Sequence, residues 1–260
     1  MHLYLKYLNI QLKSQLQYRA SFLLLSFGQF FIPFTVLGGL YFMFQRFGEL
    51  QGWSFFEVAL CFSVIHLAFS LSECFARGFD GFSSLVASGE FDRLLVRPRS
   101  TVIQVLGSKF EFTRIGRLLQ GMIVLVWSVT NLPALWSFPK LIILFFMIMN
   151  GVLIFTGIFI LAATFCFWTI QAIEVANVFT DGGREMAQYP LNIYEKWVTR
   201  FFTFIIPFGC VTYLPLLYIL DKKDGGMFTY MLVPFGGALF LLPCLLIWRF
   251  GVRHYRSTGS

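Results

Sequence analysis

The chain has 260 residues, of which 57% are hydrophobic, 19% aromatic and only 13% charged, with a net charge of +7. A soluble domain is typically about 45–50% apolar and about 25% charged, and a sphere of this size cannot hide 34 Phe residues. A soluble globular enzyme, a disordered chain, a disulfide scaffold and a collagen-like fibre are excluded, and the solvent this sequence expects is largely lipid.

In chain order, residues 1–21 come first as a separate element. Leu5, Leu8, Leu12 and Leu16 recur at helical spacing, while Lys6, Lys13 and Gln17 take other faces. This predicts an amphipathic helix in the membrane interface, or else a water-exposed extension of the first span. Uncharged apolar runs follow at Phe22–Phe44, Leu118–Trp136, Leu141–Ile170, Phe201–Leu220 and Met227–Trp248, and Ser54–Ala76 carries only Glu57 and Glu73. A bilayer core about 30 Å thick takes about 20 helical residues, so the expected fold is all-α, integral to the membrane, with six transmembrane helices. Leu141–Ile170 is too long for one crossing; either it projects into water or the chain turns inside it. With one crossing per run, sixteen of the 20 Lys and Arg residues fall on the side of the N-terminus. That bias places both termini in the cytoplasm and makes the positive charge a matter of topology rather than of nucleic-acid binding. The five cysteines (Cys61, Cys74, Cys166, Cys210, Cys244) are odd in number, lack CxxC spacing and read as small hydrophobes in helices.

Polar residues cluster in three places. The segment 77–117 is the largest between spans. Its glycines bracket a short helix-forming stretch with Phe82, Leu85 and Val86 on one side, followed by Glu90, Asp92, Arg93 and Arg97, and Pro98 then breaks the helix. Such a helix is either a docking knob for a cytoplasmic partner or rests on lipid. In the second span, Ser63, His66, Ser70, Glu73 and Arg77 are spaced 3, 4, 3 and 4 apart and share one face. That stripe must face protein or water, through interhelical hydrogen bonds or as part of a pathway, and Glu73 can pair with Arg77. The third cluster runs from Glu174 to Arg200 and includes Asn177, Asp181, Arg184 and Glu185; beyond it, Pro207 and Pro215 divide the next apolar run into two short pieces.

Catalytic patterns do not appear: there is no phosphate loop, HExxH, GxSxG or GxGxxG, and His2, His66 and His254 lie too far apart in the topology for a metal site. Energised work would draw on another chain.

The stretch Gly89-Glu90-Phe91-Asp92-Arg93-Leu94-Leu95-Val96-Arg97-Pro98 resembles the G-E-x-D-x-x-L-x-R-P loop of ABC transporter type-2 permeases. More narrowly, it resembles permeases of roughly this length encoded in pairs beside an ATPase. Gly182-Gly183-Arg184, Tyr189-Pro190-Leu191, Ile193-Tyr194, Trp197, Thr203-Phe204, Pro207, Tyr213 and Pro215 are also similar to that group. The resemblance covers nearly the whole chain. It implies one permease domain over 1–260 of a bacterial ATP-driven transporter, usually an exporter, in the plasma membrane. A second permease copy or paralogue and two cytoplasmic ATPase subunits would complete it, with ATP and Mg bound by the ATPase and no cofactor by this chain. The helix near Phe82–Ser88 would be the coupling helix. The resemblance also implies a second topology, with a cytoplasmic turn near Phe167–Gln171, an ascending span over Glu174–Tyr189 and a re-entrant pair over Val198–Leu220. Thirteen basic residues would then lie inside and six outside, with Arg184 in the membrane. Two other classes stay compatible with the residues: an intramembrane enzyme built on His66 and Glu73, and a membrane anchor or immunity-type protein that moves nothing.

Overall fold

The computed structural model describes residues 2–132, 136–169, 172–222 and 233–255. Ile170, Gln171, Lys223, Arg256, the start of the last apolar run and the side chain of Glu174 lie outside the described residues. The described chain is helical, and its only extended pairing is a single bridge between Leu50 and Trp53.

Helix α1 (His2–Gln17) is separated from α2 (Arg19–Phe47) by Tyr18 alone. The amphipathic element therefore forms, but of Leu5, Leu8, Leu12 and Leu16 only Leu8 and Leu12 are half-buried. Leu5 and Leu16 are exposed, whereas Tyr4, Gln11 and Gln15 reach the protein. The Tyr4 hydroxyl donates to the Phe75 carbonyl (3.0 Å), Gln11 to Ser108 O (3.2 Å) and Gln15 to Phe110 O (2.6 Å), and Gln15 accepts from Phe112 N (3.1 Å). Burial pushes the Tyr4 hydroxyl up to about 12.

Helix α3 (Phe55–Asp80) is the axis of the bundle, with every residue from Val58 to Ser70 buried. It begins where the Ser54 amide donates to Glu57 Oε2 (2.8 Å), satisfying a helix-end donor. Three short helices follow: α4 (Phe82–Ala87), α5 (Glu90–Leu95) and α6 (Thr101–Leu106). Helices α7 (Ile115–Asn131) and α8 (Phe138–Phe165) then flank α3, and α12 (Gly236–His254) packs against α8. Without a hydrophobic drive between helices in lipid, close backbone approach does much of the fastening. At Gly116 on α7 a side chain would strike the Ser26 carbonyl of α2, so only glycine allows that crossing.

The overlong apolar run ends in a turn. Helix α8 stops at Phe165, and α9 (Ala172–Ala187) returns beside α8 and α3. Next come α10 (Lys196–Phe204) and α11 (Tyr213–Ile219), two pieces of a broken helix bent by 77°. Pro207 lies in the bend, where a missing N–H does least harm, and Pro215 sits in the first turn of α11, whose amides lack helical partners anyway. Both ends of the pair are tied to one end of the bundle: Trp53 Nε1 donates to Asn192 Oδ1 (3.0 Å), Lys140 pairs with Asp221 (2.6 Å), and Lys222 with Glu57 (2.7 Å). The middle reaches down to Asn150, whose side chain donates to Cys210 O (3.0 Å), and to Phe155, which meets Phe208 at 5.1 Å. The pair is thus a re-entrant hairpin.

This decides between the two topologies. Five helices (α2, α3, α7, α8 and α12) are long and apolar enough to cross a membrane. Between the two ends of the bundle the chain runs once more as α9, about 24 Å long at about 1.5 Å per residue, and the apolar run that follows it doubles back. Counting one crossing per run is corrected accordingly: Lys196 and Arg200 join Arg46, Lys140 and Lys222 at the end of the bundle remote from the termini. Hydropathy registers how apolar a run is, but it cannot register that the run doubles back. Helix α1 and the end of α12 lie at the opposite, basic end, where Tyr4 meets Phe110 (5.2 Å) and Trp248 meets Phe79 (5.0 Å).

Candidate functional site

The stripe on α3 is buried as expected, but it divides into two neighbourhoods. Ser63 donates back to Leu60 O, and Ser70 is fully enclosed with no partner for its hydroxyl among the described residues. His66 stacks on Phe62 at 3.9 Å, and its Nε2 meets Gln188 Oε1 at 3.4 Å. From Gln188 a polar chain continues along α9. Gln188 donates to Glu185 Oε2 (2.8 Å), Arg184 pairs with Glu185 Oε1 (2.6 Å) and with Asp181 (3.6 Å), and the Arg184 guanidinium covers the Phe69 ring at 5.0 Å. The Asp181 and Glu185 side chains are 60% and 47% exposed. On a helix that crosses the membrane, such a face requires water or another chain beside it.

The other neighbourhood is a charged hub at the basic end. Glu73 is buried, and the expected pair with Arg77 forms at 3.1 Å, but Arg114 (3.1 Å) and Arg117 (2.7 Å) of the α7 start also converge on it. Arg117 in turn donates to Gln29 of α2 (2.8 Å), so one carboxylate joins α2, α3 and α7. Arg77 also pairs with Asp80 (3.1 Å) and Glu111 (3.4 Å), and Glu111 with Arg114 (2.9 Å) and Lys109 (3.3 Å). Burial pushes the Glu111 carboxyl up, but Arg77, Arg114 and Lys109 together outweigh it and hold it below its ordinary value. The sequence analysis missed Gln29, Arg114 and Arg117 as partners. A signal was present in Arg114 and Arg117, two cations three positions apart where an apolar run begins, which need a partner if the helix enters the membrane.

The short helices α4 to α6 hang beside this hub. Phe82 and Val86, expected on a docking face, instead point inward, and both are buried; Leu85 is half-buried. Phe82 packs edge-on to Phe91 (4.8 Å), Trp248 (5.0 Å) and Phe167 (5.2 Å), because an aromatic side chain at the bundle end finds more apolar area inside than out. These residues therefore seat the loop on α12. Its outward surface carries Ser84, Ala87, Ser88, Glu90, Arg93 and Arg97, with Asp92 half-buried.

A sequence profile described as ABC-2 family transporter protein matches residues 30–259, nearly the whole chain. The chain belongs to the ABC-2 transporter family. No curated protein and no solved structure matches it. The ABC-2 chain is thus a multi-pass membrane permease, the transport subunit rather than a catalytic one. Of the two ionisable residues on the α3 stripe, His66 meets an aromatic ring and an amide, and Glu73 meets three guanidiniums. Among the described residues no group of His, Cys, Asp or Glu is arranged to hold a metal ion.

Proposed function

We propose that this ABC-2 permease works as half of the membrane portion of a bacterial ATP-driven exporter in the plasma membrane, with its basic end in the cytoplasm. Residues 1–260 act as a single domain. The partners are cytoplasmic ATPase subunits, which bind the ATP and Mg, and a second permease, either a copy or a paralogue. The α4–α6 loop is the coupling element, and the observation that carries this reading is its construction. Phe82 and Phe91 anchor it from within against Trp248, while Glu90, Arg93 and Arg97 stand exposed. A knob fixed rigidly to α3 and α12 can pass a push from outside into the bundle; a loop resting loosely on lipid cannot.

The excess of basic residues at that end supports the cytoplasmic orientation. The exposed Asp181 and Glu185 support placing α9 beside a water-filled path or the second permease, with Ser63, His66 and Ser70 behind it as interhelical support. Closure of the ATPase dimer would rock the helices between inward- and outward-facing states.

The test is affinity purification from native membranes in mild detergent, comparing the wild type with Glu90→Ala/Arg93→Ala/Arg97→Ala. All three side chains are exposed, so the variant should melt like the wild type. An ATPase subunit recovered with the wild type and lost with the variant is the expected result. Wild-type protein that stays folded and brings down no ATPase overturns the proposal.

A further inference from the structure

The far end of the bundle, remote from the proposed ATPase, is organised around one residue. The α2–α3 turn bends through positive φ at Gly48, Gln51 and Gly52 and is closed by mutual backbone bonds between Leu50 and Trp53 (3.0 Å each). It presents Trp53, which is buried, to three parts of the re-entrant hairpin. Its indole N–H holds Asn192 ahead of α10 (3.0 Å), and its ring lies 6.2 Å from that of Tyr213 at the start of α11. The Lys222 ammonium sits over the indole at 4.2 Å, just past the end of α11. Lys222 is held further by the Gly52 carbonyl (2.8 Å) and Glu57 (2.7 Å), and its neighbour Asp221 by the buried Lys140 of α8 (2.6 Å).

The two arms of the hairpin are bound very differently. In α11, Pro215, Leu216, Leu217 and Ile219 are buried; in α10 no residue is, and Trp197 and Phe204 are largely exposed. Charged fastening is therefore concentrated on the one arm that also has a packed face, and it acts at that arm's outer end, while the α10 side is held to the α2–α3 turn by the Trp53–Asn192 hydrogen bond. In each pair the member on the hairpin, Asp221 or Lys222, is the more exposed one and meets water when the pair parts, while Lys140 and Glu57 stay in the bundle.

We propose that Trp53, with the pairs Lys222–Glu57 and Lys140–Asp221, is a catch that holds the re-entrant hairpin down, and that the far end of the permease opens by release of this catch. The release frees the end of α11, and the hairpin lifts about its α10 side, where the Trp53–Asn192 hydrogen bond acts as the pivot. Its purpose rests on the permease reading, but its existence is measurable without ATPase or substrate, so either can fail alone.

The test reads opening at Cys210, which lies half-buried between α10 and α11. The full chain in nanodiscs, with the buried Cys61, Cys74, Cys166 and Cys244 replaced by Ala, is labelled with a water-soluble maleimide. Lys222→Gln/Asp221→Asn should raise the Cys210 labelling rate about tenfold, the effect of losing both ion pairs and a cation–aromatic contact together. Asn is chosen because position 221 has φ of 53°, which Asn tolerates. Lys13→Gln, at an exposed position of α1, serves as the control and should leave the rate unchanged. With the native cysteines kept, amide exchange over residues 205–217 should rise by a similar factor while residues 58–70 stay protected. An unchanged rate in the double variant, an equal rise in the control, or an equal rise in exchange along the whole chain each overturns the catch.

Discussion

The two ends of the bundle solve the same problem, tying helices together with charge, in opposite ways. At the basic end one buried carboxylate, Glu73, serves three guanidiniums, and the network runs on through Glu111, Asp80 and Gln29. At the far end Lys222–Glu57 and Lys140–Asp221 stand as separate pairs, each with one side toward water. A shared buried network cannot lose a member cheaply, because the remaining charges are left desolvated and unpaired. An isolated pair with one exposed member loses less when it parts, since water takes up the exposed group and only one charge is left behind in the bundle. On the proposed mechanism this difference separates the end that stays from the end that moves: the basic end passes force as a unit, and the far end yields.

The sharpest way to break this comparison is Glu73→Ala. It should cost about 3–5 kcal/mol, the penalty for stranding buried cations, seen as a large fall in melting temperature in detergent and in the yield of folded protein. A loss no larger than that of a surface pair would mean that the guanidiniums reach water and that the two ends are not different in kind. A smaller effect comes from pH. The Glu111 carboxyl is held below its ordinary value in the folded chain, so its contribution is complete above that ordinary value and is lost as the pH falls through the lowered one. Melting temperature should therefore drop on acidification below the usual carboxylate range, and Glu111→Gln should flatten that part of the profile. The smallest effect is expected for Lys222→Gln, about 0.2–1 kcal/mol, with melting barely shifted. A cost rivalling that of Glu73→Ala would show the far end to be as permanent as the basic one.

Much of this arrangement was legible in the sequence, and the limits are physical. The α3 stripe could be read because a helix repeats every 3.6 residues and a 3, 4, 3, 4 spacing has one geometric meaning. That Arg117 would be the closest partner of Glu73 could not, because the two lie 44 positions apart and meet only when α3 and α7 pack. The hairpin announced itself through an overlong run and two prolines, yet hydropathy by itself favoured another path through the membrane. For α4, amphipathicity revealed that Phe82 and Val86 share a side but left open what that side faces. The answer, Trp248 and its aromatic neighbours, belongs to a helix more than a hundred and fifty residues further on.

The attachment of α1 bears on how the chain is made. Its glutamines grip the main chain of residues 108–112, some 95 to 97 positions downstream. At roughly 5–20 residues per second of synthesis, about 5–20 s pass between the emergence of α1 and that of its receptor. During that interval the first helix has no protein to hold, and its exposed Leu5 and Leu16 give it the membrane surface as a waiting place. The exposed Leu5 and Leu16 thus serve the nascent chain and the glutamines the finished one.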